Sequence, residues 1–338
     1  MLERGLLIRG GRIVDPSQGL DESADLLILN GQVARIYAQG ETADGLAVPV
    51  FDATGLVVSP GFVDIHCHLR DPGYEYKETI TTGTAAAARG GFTTVCCMAN
   101  TNPVVDSRGI VEYIQRKAVA EGVVRVLSLG AVTKGLAGKE LAEMGDLADA
   151  GAVAFSDDGN PVANSGLMRH ALEYSRLFGR PIVEHCEDPV LAAGGCANEG
   201  PTATRLGLKG IPAAAEEIMV ARDIALAQLT GGKLHLTHLS TAGSVELVRR
   251  AKEKGLPVTA DVTPHHLTLT EEMLAGTENL LPYDTRTKVN PPLRRRSDVD
   301  ALVEALREGY IDAIATDHAP HAIEDKVCEY DHAAFGIS

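Results

Sequence analysis

The sequence predicts an α/β chain: a (β/α)8 TIM-like barrel preceded by a small N-terminal β-sandwich. Three observations point there. From Pro60 onward, short apolar runs alternate with helical patterns, the rhythm of a parallel sheet. The alternation repeats eight times, the number that closes a barrel. Metal-ligating residue types recur where those runs end, on the face where barrels build their sites.

Residues 1–58 have a different rhythm and are expected to form a β domain of their own, with the barrel over 59–338. The stretch Gly5 to Asp15 reads as strand, turn, strand. Asp25 to Ile36 reads as a hairpin about the two-residue turn Asn30-Gly31, a pair that accepts the positive φ such turns need. Val48–Asp52 and Leu56–Val58 add short strands. None of these carries a recognisable chemical group.

The eight predicted barrel strands are Phe62–His66, Thr93–Met98, Arg125–Ala131, Ala152–Ser156, Ile182–His185, Leu234–His238, Val258–Val262 and Ala313–Thr316. Helices are expected at Thr79–Arg89, Gly109–Glu121, Gly166–Phe178, Ala213–Leu229, Gly243–Lys254 and Asp298–Glu308. An open doubly wound sheet is the alternative, but it wants a Gly-rich phosphate loop after its first strand. That place holds His66-Cys67-His68.

His66 and His68 lie two apart at a strand end, so both imidazoles project to one side while Cys67 points away. Further polar residues close the other strands: Asn100, Asp157 and Asp158, His185, His238 and Asp317. Any one could be a solvated strand end; six together imply a shared pocket. Four histidines and two carboxylates suit one or two borderline-hard cations such as Zn²⁺, and two are expected. A metal pair needs a bridging anion, which Asp157 or Asp158 can supply. Strand parity favours Asp158, aligned with Ala154 and Ser156, and leaves Asp157 as a supporting or capping residue. Asp317 can be ligand, general base or both.

The other histidines are read more plainly. His235 has parity opposite to His238 and should face the helices; His170 lies in a helical pattern and His332 in the tail. His265, His266 and His318 can at most support the site, and His321 sits in a loop able to reach it.

Composition narrows the function classes. A net charge of −15 opposes binding to nucleic acid or to an anionic membrane, and an anionic substrate would need local cations. No apolar run approaches the roughly 18 residues of a membrane span, and the N-terminus lacks a leader's apolar stretch. A cytoplasmic protein is expected. Its six cysteines, without a C-x-x-C pair, read as buried thiols rather than disulfides.

Several motifs carry a resemblance over nearly the whole chain. They are Asp64-Ile65-His66-Cys67-His68-Leu69-Arg70-Asp71-Pro72-Gly73, Met98-Ala99-Asn100-Thr101, Phe155-Ser156-Asp157-Asp158-Gly159, Glu184-His185-Cys186-Glu187-Asp188, His238-Leu239-Ser240-Thr241, Lys288 to Arg294, and Thr316-Asp317-His318-Ala319-Pro320-His321. With them the chain resembles the amidohydrolase superfamily and, within it, the class I bacterial dihydroorotases. The resemblance implies hydrolysis of the cyclic amide of dihydroorotate to N-carbamoyl-aspartate, and its reversal, in pyrimidine biosynthesis. It implies one zinc on His66, His68 and Asp317, the other on His185 and His238, Asp158 as bridge, and Asp317 as proton shuttle. Arg70, Asn100 and His321 would bind the substrate carboxylate, Asn290 the ring, and Phe335-Gly336 the ring through backbone groups. Family chains run on past Ser338, so the last barrel helix and closing C-terminal strands are expected to lie outside this sequence. A homo-oligomer, or a complex with aspartate transcarbamoylase, is a further implication. Two rivals stand beside this reading: an allantoinase- or hydantoinase-like cyclic amidohydrolase, and a non-catalytic scaffold. Many amidohydrolases bridge their metals with a carboxylated lysine, but Ala152–Gly159 contains none, so an aspartate bridge is implied.

Overall fold

A computed structural model describes residues 5–38, 41 and 47–337. The remaining residues, among them the first four of the segment expected to carry no leader, lie outside the description. The chain divides into two compact units, Met1–Phe62 and Val63–Ser338.

In the first unit β1 (Gly5–Asp15) pairs antiparallel with β2 (Leu20–Leu29), which pairs antiparallel with β3 (Gln32–Tyr37). Asn30 and Gly31 turn the β2–β3 hairpin with φ of 52° and 79°. Two expectations are corrected here. The turn expected within Gly5–Asp15 is not formed: β1 is continuous, and its register with β2 shifts at a bulge between Ile8 and Gly11. Gly10 takes φ of 75° and donates its N–H to Asp25 Oδ1 at 2.8 Å, so the bulged backbone is satisfied. Nor do the described residues form a sandwich. The short strands β4 (Val50–Asp52) and β5 (Val57–Val58) both pair parallel with β1, on either side of the bulge, and extend one five-stranded sheet. Both strands take their backbone partners from the edge of β1 that faces away from β2.

The second unit is the expected α/β alternation. Strands β6 (Phe62–Cys67), β7 (Phe92–Cys97) and β8 (Arg125–Ser128) are neighbours in one sheet. Strands β9 (Ile182–Glu184), β12 (Leu234–Leu236), β13 (Val258–Val262) and β14 (Ala313–Ile314) are neighbours in a second sheet, all parallel. Between β9 and β12 a side pair, β10 (Ala197–Asn198) and β11 (Gly210–Ile211), forms its own small sheet. Single parallel bridges connect Gly130 to Phe155, Phe155 to Ile182, and Cys67 to His318. The predicted fourth strand, Ala152–Ser156, forms single-residue bridges through Phe155, and backbone hydrogen bonds run along it on both sides: Val153 N–H to Ser128 O at 3.1 Å, Ser156 N–H to Gly130 O at 2.8 Å and Phe155 N–H to Pro181 O at 3.1 Å. Beyond Ser156 the ladder ends, and Asp157 Oδ1 accepts the backbone N–H groups of Val132 and Thr133.

Helices form where period and caps agree. Helix α1 (Ile80–Arg89) opens with Thr79 and Thr82 in a reciprocal capping box, and Gly83 lets it approach Leu69, whose Cδ2 would stand 2.5 Å from a Cβ there. Helices α2 (Arg108–Glu121), α3 (Met144–Asp149), α4 (Ser165–Ser175), α5 (Pro201–Leu206) and α6 (Ala213–Thr230) follow. Then come α7 (Ala242–Glu253), α8 (Pro264–Thr268), α9 (Arg296–Arg307) and α10 (Ile323–Lys326). Asn164 caps α4 and Thr241 caps α7 through their side chains.

The main core, with Phe155, Ile182, Leu234 and Leu236 from the strands and Met168, Leu172 and Val248 from the helices, lies between sheet and helices. Cys96, Met98, Leu129, Ala154 and Val183 form a separate small cluster. This partition corrects the reading of His235. Leu234 and Leu236 face the helices, so His235 faces the other way, with Nδ1 2.8 Å from Thr259 Oγ1 and Nε2 2.8 Å from Asp261 Oδ2. Parity failed because His238 lies beyond β12 with φ of 40°, outside strand geometry. Five cysteines are buried free thiols, but Cys328 is exposed in the final loop, contrary to expectation. It belongs to none of the buried apolar clusters that hold the others.

Candidate metal centre and cleft

The C-terminal ends of the parallel strands bring His66, His68, Asp158, His185, His238 and Asp317 into one buried cluster. Two triads can be drawn, His66–His68–Asp158 and Asp158–His185–His238, and they share Asp158. Asp158 Oδ2 lies 3.4 Å from His66 Nε2 and 3.5 Å from His68 Nε2. Its Oδ1 lies 3.3 Å from His238 Nε2 and 3.7 Å from His185 Nδ1. Asp317 Oδ1 adds to the first group, 3.0 Å from His68 Nε2 and 3.4 Å from His66 Nε2. Asp157 stays outside, held by Val132, Thr133 and the Thr133 hydroxyl.

Hydrogen bonding behind the histidines sets their tautomers. Thr237 Oγ1 donates to Asp261 Oδ2 at 2.9 Å, so His66 Nδ1 donates to Thr237 Oγ1 at 2.7 Å. The amide oxygen of Asn100 can only accept, so His68 Nδ1 donates to it at 3.0 Å. Both Nε2 lone pairs are thereby turned toward carboxylate oxygens. His66 Nε2 is buried without a hydrogen-bond partner. Lone pairs facing anions at these distances call for a cation, and donors bound at about 2.0–2.2 Å to one small divalent ion take up such spacings. The residues present therefore fit a metal.

The electrostatics agree. Burial opposes charge on Asp158, yet His66, His238 and His68 hold its carboxyl well below the usual range. Asp317 is likewise held low against burial by His66, His68 and His238. Burial also opposes charge on His66, but Asp158 and Asp317 raise it to about 10. A proton and a metal thus compete for the same nitrogen.

Beside the cluster opens a cleft of about 180 Å³, whose lining includes Arg70, Asn100, Asn290, His321, Phe335 and Gly336. Arg70 takes φ of 61° and is anchored by Nε donating to Pro320 O at 3.1 Å. Asn100 is engaged on both sides, its Nδ2 donating to Asp158 O at 3.1 Å. Asn290 turns Nδ2 toward His185 Nε2 at 3.5 Å and leaves Oδ1 buried and unpartnered. Phe335 O is met by His321 Nε2 at 2.7 Å, and Gly336 N–H is bound to Lys288 O at 2.9 Å. Those backbone groups, implied as substrate contacts, already have partners.

The other histidines lie apart. His266 Nε2 donates to Pro291 O at 2.9 Å, bracing the residue after Asn290. His265 borders a second, apolar cavity, and His318 pairs with Glu78 at 3.1 Å. His170 and His332 are exposed. Sequence reasoning missed Asp261, which also accepts the His238 N–H at 2.7 Å, and Thr237. An acid inside the apolar run Val258–Val262 was the available signal. It also missed Asp64, which takes the Thr316 N–H at 3.0 Å and so ties β6 to the turn that carries Asp317.

A family model described as dihydro-orotase-like matches residues 55–244. A dihydroorotase from Pelotomaculum thermopropionicum is 55% identical over 332 residues, spanning 98% of this chain and 75% of that protein. Another, from Syntrophus aciditrophicus, is 52% identical over 334 residues, with 98% and 76% covered. Among solved structures, the L-hydantoinase (dihydropyrimidinase) of Arthrobacter aurescens matches with a TM-score of 0.84 at 27% identity, covering 98% of this chain and 73% of that one. A dihydropyrimidinase from Brevibacillus agri shares the fold, with a TM-score of 0.79 at 24% identity over 98% of this chain and 73% of that one.

Proposed function

This chain belongs to the dihydro-orotase-like family, and from that premise we propose that it is a zinc-dependent dihydroorotase. It hydrolyses the cyclic amide of dihydroorotate to N-carbamoyl-L-aspartate, reversibly, in pyrimidine biosynthesis. The carrying observation is the sharing of Asp158 by two ligand triads. His66, His68 and Asp317 would hold one ion, His185 and His238 the other, with Asp158 between them. Zinc suits the nitrogen-rich set. When bound, the metal supplies a polarised carbonyl and water that ionises near neutrality.

The chain's own residues do the rest. Arg70, fixed through Nε, offers its remaining N–H groups to the substrate carboxylate. Asn290 Oδ1 accepts from a ring N–H, which satisfies a buried acceptor otherwise left without a partner. Water adds to the ring carbonyl carbon and loses a proton to Asp317 Oδ2, since Oδ1 is committed to the histidines. The C–N bond then breaks, and Asp317 returns that proton to the departing nitrogen.

The same reading takes the strands of the second unit as a closed (β/α)8 barrel, with residues 1–58 as a separate β domain. Its support is the run of parallel bridges through Phe155 and from Cys67 to His318, with the likeness to the hydantoinase. No helix among the described residues is long and apolar enough to cross a membrane, and we place the enzyme in the cytoplasm. Its assembly, with itself or with aspartate transcarbamoylase, is a matter for sedimentation.

A hydantoinase-like activity is the second reading, favoured by the structural likeness. Among the described residues no lysine lines the cleft, which speaks for the aspartate-bridged enzyme. Turnover of dihydroorotate, hydantoin and allantoin should be compared alongside zinc content. Preference for dihydroorotate with about two zinc ions per chain is expected. Preference for hydantoin overturns the substrate assignment, and a folded chain that binds no metal overturns the enzyme assignment in favour of a scaffold.

A further inference from the structure

We propose that Lys326 is a positioning residue of the cleft: its ammonium ties the wall that carries Asn290 to the edge formed by Phe335 and Gly336, and so fixes the width of the pocket between them. The inference rests on the reading above only in taking the cleft as the substrate pocket.

An ammonium has three N–H donors and no acceptor. Lys326, the last residue of α10, is half-buried, and its Nζ donates to three carbonyl oxygens: Ala334 O at 2.7 Å, Thr285 O at 3.2 Å and Lys288 O at 3.3 Å. Ala334 directly precedes Phe335, and Lys288 stands two residues before Asn290, so these bonds reach both walls from behind. Lys326 itself lies outside the cleft lining. Two further bonds close the same joint. The Thr285 hydroxyl donates to Lys326 O, and Gly336 N–H donates to Lys288 O at 2.9 Å. Lys288 O thus accepts from the edge and from Lys326 at once.

The grip needs a cation. A neutral amine keeps two N–H groups and gains a lone pair, which would face one of the three carbonyls. The neighbouring carboxylates are engaged elsewhere, Asp325 by Lys77 at 3.0 Å and Asp284 by Arg286. The charged and titratable groups around Lys326 are Lys288 and Asp284 from the segment before Asn290, His321 from the loop before α10, and Asp325 and Cys328 on its own stretch. The edge meets it through the Ala334 carbonyl. Burial and Lys288 bring Lys326 down to about 8. It is therefore charged at neutrality and gives up its third donor just above.

The test follows KM and kcat for dihydroorotate in the full zinc-loaded chain between about pH 6.5 and 9.5, on either side of that proton loss. In the unaltered chain KM should rise as pH climbs through about 8. Lys326→Arg, a donor that stays charged, should remove that rise and leave the course of kcat as it was. Lys326→Met should raise KM about tenfold already at neutrality, the loss of a charged hydrogen bond, at unchanged kcat and zinc content. An unmoved KM in Lys326→Met overturns the proposal, and so does an alkaline rise that Lys326→Arg leaves in place. If Lys326→Met does not fold, the pH comparison decides alone. Hydrogen exchange reads the joint without substrate: amides of 285–290 and 334–337 should exchange about tenfold faster in Lys326→Met than in the unaltered chain or Lys326→Arg. Equal exchange overturns the tie. If dihydroorotate is not turned over at all, the substrate assignment fails while the exchange result still decides the role of Lys326.

Discussion

His66 presents a lone pair to the metal because of what stands behind it. Asp261 accepts from Thr237, Thr237 accepts from His66 Nδ1, and Nε2 is left open. Thr237→Val removes the acceptor without changing shape and should weaken zinc binding by about 10- to 100-fold, read by competition with a chelating dye; unchanged affinity would dismiss the relay. Asp317→Ala should lower kcat by at least about 10²-fold, and near-normal turnover would remove Asp317 as the base. Arg70→Met should act mainly on KM, by about 10- to 100-fold for a lost charged hydrogen bond, and an unmoved KM would take Arg70 out of the cleft. Arg70, His238 and Asp317 all adopt positive φ without being glycine. Such backbone strain persists only where surroundings impose it. Here Asp261 receives the His238 N–H, and His66 O receives that of Asp317 at 3.0 Å.

The elements differ in how much of them is local. Helix α1 was legible because its alanine run, Ala85 to Ala88, lies within one short stretch. The fourth strand was legible in its span, which backbone hydrogen bonds cover from Val153 to Ser156, but not in its pairing: that Phe155 forms the bridges to Gly130 and Ile182 depends on distant segments. Because Phe155 is wholly buried, Phe155→Ala should cost about 3–5 kcal/mol in chemical unfolding; a cost below about 1 kcal/mol would show that the neighbourhood collapses around the gap. The loop after β6 depends on Gly73, with φ of 96° and a would-be Cβ 1.9 Å from Asn102 O. Gly73→Ala must push apart the loops that carry Arg70 and Asn100.

Over the whole molecule, charge and substrate oppose each other. With a net charge of −15 the chain repels an anion at long range while Arg70 attracts it at short range. Raising ionic strength from about 0.01 to 0.15 M shortens screening from about 30 to 8 Å, so kcat/KM should rise; a fall would place the controlling charges in the cleft. The metal-stripped protein should show its own pH dependence. His66 is raised in the fold, so its contribution is complete below its free value of 6.5 and is lost as pH climbs through about 10. The stripped protein's melting temperature should fall over that interval relative to the zinc-loaded protein, and a parallel course for both would deny the ion pairing.

The sequence by itself determined the alternation of strands and helices, the family, and which residue types close the strands, because apolar period, caps and His-x-His spacing are local. Tertiary structure decided the facing of His235 and His238, the partners Asp261 and Thr237, and the gathering of three carbonyls around Lys326. Each depends on hydrogen bonds between strand ends or loops far apart in the chain, and on backbone that has left the strand, where alternation no longer tells which way a side chain turns.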